Sequence, residues 1–151
     1  MSRFTSRKYT HVIFCTSTNV TIQPTHLSRL FDYMREILKE EEVITVGLNG
    51  MPDHIHVLCI FPQNFSMPKF VQRMKNQTTL WLKDIDPSYR DFQWKKGYAG
   101  FAIRPPAMVT VQHVVNQVYI HNKMSFPEEL RMFFRDYRDI SAGKCKLWWD
   151  D

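Results

Sequence analysis

The sequence predicts an α+β fold of the ferredoxin-like, split βαβ kind, with a central antiparallel sheet and additional C-terminal helices. Runs rich in β-branched and aromatic residues alternate with longer runs of helical periodicity, in the order β-α-β-β-α-β. Two further helical segments follow the last strand. The chain has 151 residues, of which 44% are hydrophobic. That is the size of one ordinary domain, so we expect a single domain over residues 1–151.

Three strands and one helix are predicted in the first part of the chain. Residues 9–16 (YTHVIFCT) have the composition of a strand. Thr25 is expected to cap a helix, whose apolar face carries Leu27, Leu30, Phe31, Met34, Ile37 and Leu38. Strands at 43–48 and 54–61 flank the turn residues 49–53, and we expect them to form an antiparallel hairpin.

The second part of the chain predicts one more strand and three helices. Ser66, with Pro68 behind it, marks a helix start, and the buried face of this helix carries Phe70, Val71, Met74, Thr78 and Trp81. Residues 92–103 are expected to be extended. Pro105-Pro106 interrupts the pattern, and a helix follows to about Asn122. A last helix is expected over 126–137, and the tail with Trp148 and Trp149 is expected to dock on the body.

Composition argues against a membrane protein and against a disulfide-stabilised protein. No segment approaches the roughly 20 apolar residues of a membrane span. The first five residues lack the apolar core of a signal peptide, so a cytoplasmic location is expected. The three cysteines, Cys15, Cys59 and Cys145, are far apart and unpaired in sequence, and we expect buried thiols.

Positive charge is concentrated between Met67 and Arg104. This segment has eight basic and three acidic residues, and its surplus equals the whole formal charge of +5. Aromatic residues are interleaved with the cations, as in proteins that bind single-stranded nucleic acids. A solvated basic face over an aromatic core would give the same pattern. The candidate contacts to nucleic acid are Arg73, Lys75, Lys95 and Lys96.

His54 and His56 lie two residues apart in a predicted strand. Because side chains alternate across a strand, both imidazoles should leave from one face and could hold a metal ion. The spacing alone is also compatible with two structural or exposed histidines.

The flanks of this pair, Met51-Pro52-Asp53-His54-Ile55-His56-Val57-Leu58, resemble the motif of the HUH single-tyrosine transposases, which are insertion-sequence 200-like enzymes. The resemblance continues through residues 9–16, through Val71-Gln72-Arg73-Met74-Lys75 and through residues 92–98. It also includes Asn116-Gln117 and Ser125-Phe126-Pro127-Glu128-Glu129, so that it spans about residues 9–149.

What the resemblance implies is a transposase that cuts and rejoins single-stranded DNA at hairpin-bearing ends, usually as a homodimer. A divalent ion, Mg²⁺ or Mn²⁺, would be held by His54, His56 and Gln117, and a tyrosine would attack the polarised phosphate. Two imidazoles and one amide are less usual for magnesium than oxygen ligands, so manganese is expected to bind better.

The expected tyrosine is missing. In the family it lies one helical turn before the metal-binding glutamine, and the residue four before Gln117 is His113. His113 could be a nucleophile, a third nitrogen ligand or an inert replacement. Tyr119 is the less suitable substitute, because two residues past Gln117 it should face away from the ion. His121 is expected to be exposed at the helix end, and Trp94 to be core. Arg104 is given only an orienting role.

Three hypotheses therefore compete. The first is an active transposase. The second is a domesticated relative that binds DNA or RNA hairpins without cutting, which the basic segment favours and which survives the loss of the tyrosine. The third is a ferredoxin-like enzyme that uses His54 and His56 for hydrolysis, for which no substrate pocket is evident in the sequence.

Overall fold

The computed structural model describes residues 9–17, 19–103, 108–141 and 144. The expectations for the first five residues, Arg104, the Pro105-Pro106 pair, Cys145 and the tryptophan tail lie outside these ranges. Five strands are assigned: β1 (Tyr9–Cys15), β2 (Ile44–Met51), β3 (His54–Ile60), β4 (Ala99–Ile103) and β5 (Arg138–Asp139). The helices are α1 (Pro24–Glu40), α2 (Met67–Ile85), α3 (Met108–Val115), α4 (Gln117–His121) and α5 (Phe126–Asp136).

The strands form one antiparallel sheet in the order β2-β3-β1-β4-β5. The predicted α+β class and split βαβ arrangement are thereby confirmed, with β1 and β3 adjacent near the centre. The short β5, which the sequence did not predict, adds to the free edge of β4. Every residue of β3 is buried, so the strand that carries the two histidines is covered on both faces.

Helices cover the two faces of the sheet. Phe14 is paired in register with Ile55 and touches Trp94, whose indole N–H donates to the Thr78 hydroxyl of α2. The opposite face carries His54 and His56, and their rings pack on Phe126 and Phe133 of α5. The core around Phe14 and the histidine cluster therefore lie on opposite faces of β3.

Side-chain caps begin two of the helices. Ser66 accepts the Lys69 amide at the start of α2, as predicted. Ser125 and Glu128 form a capping box at the start of α5. The predicted cap Thr25 is wrong, because α1 begins at Pro24 after Gln23, and Gln23 makes no side-chain cap hydrogen bond. Proline is suited to the first helical turn because its missing N–H would be unpaired there in any case.

The β2–β3 hairpin is tighter than predicted. Met51 pairs with His54, so that only Pro52 and Asp53 remain in the turn. A side chain at Gly50 would approach the His54 carbonyl to 2.3 Å, which explains the glycine at this position. The extended β2 holds the start of β3, and hence His54, in a fixed position.

The helix predicted to run unbroken to Asn122 is divided at Asn116. The side-chain amide of Asn49 donates to the Val115 carbonyl at 3.1 Å and takes an acceptor that a continuous helix would have used. The Asn116 amide still bonds to the Gln112 carbonyl, and the Asn116 carbonyl accepts from the Ile120 amide, so helical hydrogen bonds continue on both sides of the break. The strand predicted within residues 92–103 is likewise shorter, beginning at Ala99, while Trp94 makes one isolated bridge to Thr16.

The buried thiols predicted within the described residues are confirmed, whereas Trp81 and Trp94, both predicted to be buried, are only partly buried. Cys15 and Cys59 are buried thiols, and burial raises the pKa of the Cys59 thiol. Trp94 is partly buried against the core rather than fully enclosed. In the part of the chain that the structure describes, none of the helices combines the length and apolar character that crossing a membrane requires.

Candidate metal centre and basic groove

The alternation of β3 places His54 and His56 side by side on one face of the sheet, as expected. Their side chains are 1% and 0% exposed. The His54 Nδ1 atom lies 2.7 Å from a carboxylate oxygen of Asp53, and this contact orients its Nε2 atom away from the strand. The two Nε2 atoms point toward helices α3 to α5.

Gln117, at the start of α4, is fully buried in the same cluster. Its Oε1 atom lies 2.9 Å from His54 Nε2. The structure therefore brings the helical glutamine to the first of the two strand histidines. His56 reaches the cluster through a different residue, because its Nε2 atom lies 3.0 Å from Glu129.

Glu129 is the central residue that the sequence reasoning did not assign. Its carboxylate is fully buried and accepts from Gln117 Nε2 at 2.9 Å, while imidazole nitrogens lie around it at 2.5 to 3.3 Å, from His54, His56, His113 and His121. A signal was available, because Glu129 falls on the buried face of α5 with Leu130 and Phe133. A carboxylate on a core-facing position is rare unless it is paired.

His121 was expected to be an exposed helix-end residue, and this expectation is wrong. Its side chain is 9% exposed, and its Nε2 atom lies 3.1 Å from Gln117 Oε1. The residue is one turn after Gln117 on α4, and α5 closes over it. One potential ligand atom from each of His54, His121 and Glu129 lies within 4.8 Å of the other two, close enough to share a metal ion.

The buried groups of the cluster shift one another's pKa values in different directions. Burial by itself disfavours a protonated His54, but the carboxylates of Asp53 and Glu129 outweigh it and raise its pKa to about 9. Burial and the neighbouring histidines lower the pKa of His56 to about 4, against the attraction of Glu129. Although burial alone would raise the Glu129 pKa, His56 and the other imidazoles hold it well below its usual range. The carboxylate is therefore ionised at neutral pH, and its charge is balanced by positive charge on the cluster.

His113 lies on α3 with 15% of its side chain exposed, and its Nε2 atom is 2.5 Å from Glu129 Oε2. The Glu129 carboxylate is thus hydrogen-bonded to the Nε2 atom of His113, which is the nitrogen that faces the cluster. Tyr119 is 59% exposed, and its hydroxyl accepts a hydrogen bond of 2.6 Å from Lys123 Nζ. The structure therefore brings His113 to the cluster and leaves Tyr119 on the outer surface.

His11 on β1 is a second residue that the sequence reasoning did not assign. It is fully buried, and its Nε2 atom lies 2.7 Å from His56 Nδ1. Burial lowers the pKa of His11 well below its ordinary value, so it is neutral. The pairing of β1 with β3 brings these rings together, and the signal in the sequence was an ionisable side chain within a largely apolar strand.

The predicted nucleic-acid contacts separate into two groups. Lys75, Lys95 and Lys96 line one open groove between α2 and residues 92–97, together with Lys83. Lys75 donates to the backbone carbonyls of Lys95 and Gly97, and burial lowers its pKa to about 8. Lys75 therefore holds residues 95–97 against α2 at one side of the groove. Arg73 lies outside this groove and forms ion pairs with Glu40 and Glu41.

Comparison with known proteins gives one family and a consistent fold. The family model described as "Transposase IS200 like" matches residues 4–123. The crystal structure of a protein described as a putative transposase from Deinococcus radiodurans R1 is similar, with a TM-score of 0.60 and 20% identity over 83% of this chain and 98% of that one. A REP-associated tyrosine transposase bound to a REP hairpin has a TM-score of 0.60 and 12% identity, over 78% and 70%. No curated protein matches the chain significantly in sequence.

Proposed function

The chain belongs to the IS200-like transposase family, and from this premise we propose that it binds hairpin-bearing single-stranded DNA without cutting it through a tyrosine. The observation that carries the proposal is the contact between His113 and Glu129. At the position where the family pattern expects the nucleophile, an imidazole is held 2.5 Å from a buried carboxylate. Tyr119 cannot replace it from the outer surface of α4.

The proposed metal pocket consists of His54, His56 and Gln117. The residues fit a divalent ion, because imidazole nitrogens and an amide oxygen converge beside a buried carboxylate, which needs a compensating positive charge. Mg²⁺ or Mn²⁺ are the ions that the family pattern implies. His54, His56 and Gln117 would hold such an ion, which would supply Lewis-acid polarisation to a phosphate bound beside it.

The proposed DNA surface is the groove lined by Lys83, Lys95 and Lys96. It is supported by the concentration of positive charge in this part of the chain, and a similar fold is known bound to a REP hairpin. An RNA hairpin is the alternative ligand, and competition between DNA and RNA hairpins of one sequence distinguishes the two. We place this activity in the cytoplasm.

A homodimer is part of the proposal. Large apolar side chains are exposed along α3 and α4, namely Met108, Val109, Val115 and Val118. Contact with a second copy would remove this apolar surface from water. Sedimentation analysis with and without hairpin DNA measures the oligomeric state directly.

The groove predicts a specific salt dependence. If Lys95 and Lys96 each touch one phosphate, replacing either by glutamine should lower the slope of log K against log salt by about one. Lys39→Gln, on α1 outside the groove, is the matched control and should leave the slope unchanged. Fluorescence anisotropy with a labelled hairpin oligonucleotide, repeated at several salt concentrations, measures the slope. Equal slopes for all three variants and the wild type would show that Lys95 and Lys96 do not contact DNA phosphates and that the groove is not the DNA surface.

Metal and DNA binding should separate in a double variant. In His54→Gln/His56→Gln the new amides can still donate to Glu129, but the basic ring nitrogens are gone. We expect bound manganese to vanish while hairpin affinity changes less than about threefold, because phosphate contacts come mainly from Lys and Arg. Equal manganese content in wild type and variant would refute the metal pocket, and circular dichroism checks that the variant is folded.

A further inference from the structure

The two oxygens of Glu129 have different neighbours. Oε1 lies 3.0 Å from His56 Nε2 and 3.3 Å from the Nε2 atoms of both His54 and His121. Oε2 lies 2.5 Å from His113 Nε2 and 2.9 Å from Gln117 Nε2. One oxygen therefore faces three histidines that arrive from a strand and a helix, and the other is held in place by two further side chains.

We propose that His121 and Glu129 are metal ligands together with His54, His56 and Gln117, and that this nitrogen-rich set takes a late first-row transition ion of the zinc class in preference to magnesium. The inference rests on the proposed metal pocket, to which it adds two ligands and a metal class. It also gives His113 a function.

The outer nitrogens of the three histidines support ligation. A histidine that binds a metal through one ring nitrogen usually hydrogen-bonds through the other, which fixes the ring and its tautomer. Each of the three does so: His54 Nδ1 to Asp53 at 2.7 Å, His56 Nδ1 to His11 at 2.7 Å and His121 Nδ1 to the Met124 carbonyl at 3.0 Å. The three rings are thereby fixed. The Nε2 atoms of His54 and His121 and a Glu129 oxygen lie within 4.8 Å of one another, while His56 Nε2 adjoins this group through Glu129 Oε1.

The separations between the donor atoms of His54, His121, Gln117 and Glu129 also fit a coordination sphere. For bonds of about 2.0 to 2.2 Å, neighbouring ligands of one ion lie roughly 2.8 to 3.6 Å apart. The contacts of His54 Nε2 with Gln117 Oε1 at 2.9 Å and with Glu129 Oε1 at 3.3 Å fall within this range. So does the contact of His121 Nε2 with Gln117 Oε1 at 3.1 Å.

The donor types decide the metal class. Imidazole nitrogen suits zinc, copper, iron and nickel, whereas magnesium prefers oxygen ligands and retains its water. Three imidazoles with one carboxylate and one amide form a set that is poor for magnesium. The carboxylate also supplies a negative charge that the two histidines and the glutamine lack.

His113 is then a positioning residue. By holding Glu129 Oε2, it and the Gln117 amide turn Oε1 toward the three histidines. A tyrosine at this position would place a hydroxyl, not an imidazole, against the carboxylate. At the position where the family pattern expects the nucleophile, the side chain of this protein thus orients a proposed ligand.

Metal titrations of the full chain test the proposal. After treatment with a chelator, the wild type should bind one equivalent of Zn²⁺ at least about tenfold more tightly than Mn²⁺, with little competition from Mg²⁺. His121→Ala and Glu129→Gln should each weaken Zn²⁺ binding by more than about 100-fold, whereas His113→Gln should cost about 10- to 100-fold, as an outer partner does. Glu128→Gln is the matched control, since glutamine preserves the capping box, and it should bind as the wild type does.

Three results would overturn the inference. Magnesium that competes equally with zinc would refute the metal class, a comparison that needs only the wild type and is unaffected if a variant fails to fold. Wild-type affinity in His121→Ala and Glu129→Gln would exclude these ligands, and the pocket of His54 and His56 would stand if their double variant still lost the ion. Metal retained by that double variant would instead refute the proposed pocket itself, while hairpin binding, measured separately, would remain unaffected.

Discussion

His113→Tyr should convert the protein into a DNA-nicking enzyme. The residue lies next to Gln117, whose amide donates to the His113 carbonyl at 3.3 Å, and its ring centre is 6.0 Å from that of His56. A tyrosine on this turn would bring its hydroxyl to the edge of the metal pocket. A nucleophile there can attack a phosphate and form a covalent phosphotyrosine bond, with the released 3′-oxygen taking up a proton.

The expected gain is large, since loss of a catalytic nucleophile commonly costs on the order of 10³-fold or more in rate. The substrate would be a pool of hairpin oligonucleotides with randomised single-stranded flanks, supplied with Mn²⁺ or Zn²⁺. Covalent adducts, detected on denaturing gels, should form with His113→Tyr and be absent with the wild type. His113→Phe is the matched control, because it has the same ring without the hydroxyl.

Two outcomes would contradict this prediction. Equal nicking by the wild type would show that the native chain is catalytically competent and that its interpretation as a binding protein is wrong. A His113→Tyr variant that binds metal and hairpin DNA but forms no adduct would show that position 113 does not face the phosphate. Tyr119→Phe should change neither result, because Tyr119 is exposed and bonded to Lys123.

Local sequence patterns were sufficient to predict the strand part of the site. The alternation of side chains along a strand requires His54 and His56 to share a face, whatever the rest of the fold. The same holds for the cap at Ser66 and for the hairpin between β2 and β3. Each of these depends on residues within a few positions of one another.

The rest of the site depends on contacts between residues that are distant in sequence. His56 and Glu129 are 73 residues apart, and His11 and His56 are 45 apart. Whether the buried Glu129 carboxylate contacts His56 depends on how α5 packs on the sheet. The helical spacing of apolar residues in α5 does not specify that packing. The break at Asn116 has the same origin, since it depends on the Asn49 side chain from β2. The expected exposure of His121 was wrong for this reason, because α5 covers a helix end that would otherwise face solvent.

Glu129 should be the largest single contributor to stability in the cluster. In the absence of metal, its carboxylate compensates the charge of His54, which lies 3.3 Å away and is itself buried. Glu129→Ala removes that partner and leaves hydrogen-bond donors from Gln117 and the histidines unsatisfied. Breaking a buried ion pair from one side typically costs about 3–5 kcal/mol, so urea unfolding with a chelator present should show a loss of this size. Glu36→Ala, an exposed carboxylate on α1, should change the free energy of unfolding by less than about 0.5 kcal/mol.

The pH dependence of this difference follows from the direction of the Glu129 pKa shift. The folded-state pKa is held well below that of the unfolded chain by the surrounding imidazoles, so the stabilisation is fully present above the unfolded value of about 4.3. It is lost progressively as the pH falls further. The gap between wild type and Glu129→Ala should therefore be constant between about pH 5 and 6.5 and narrow below about pH 4. A gap that widens on acidification, or one below about 0.5 kcal/mol at pH 6.5, would mean that the buried carboxylate does not hold the histidines as an ion pair.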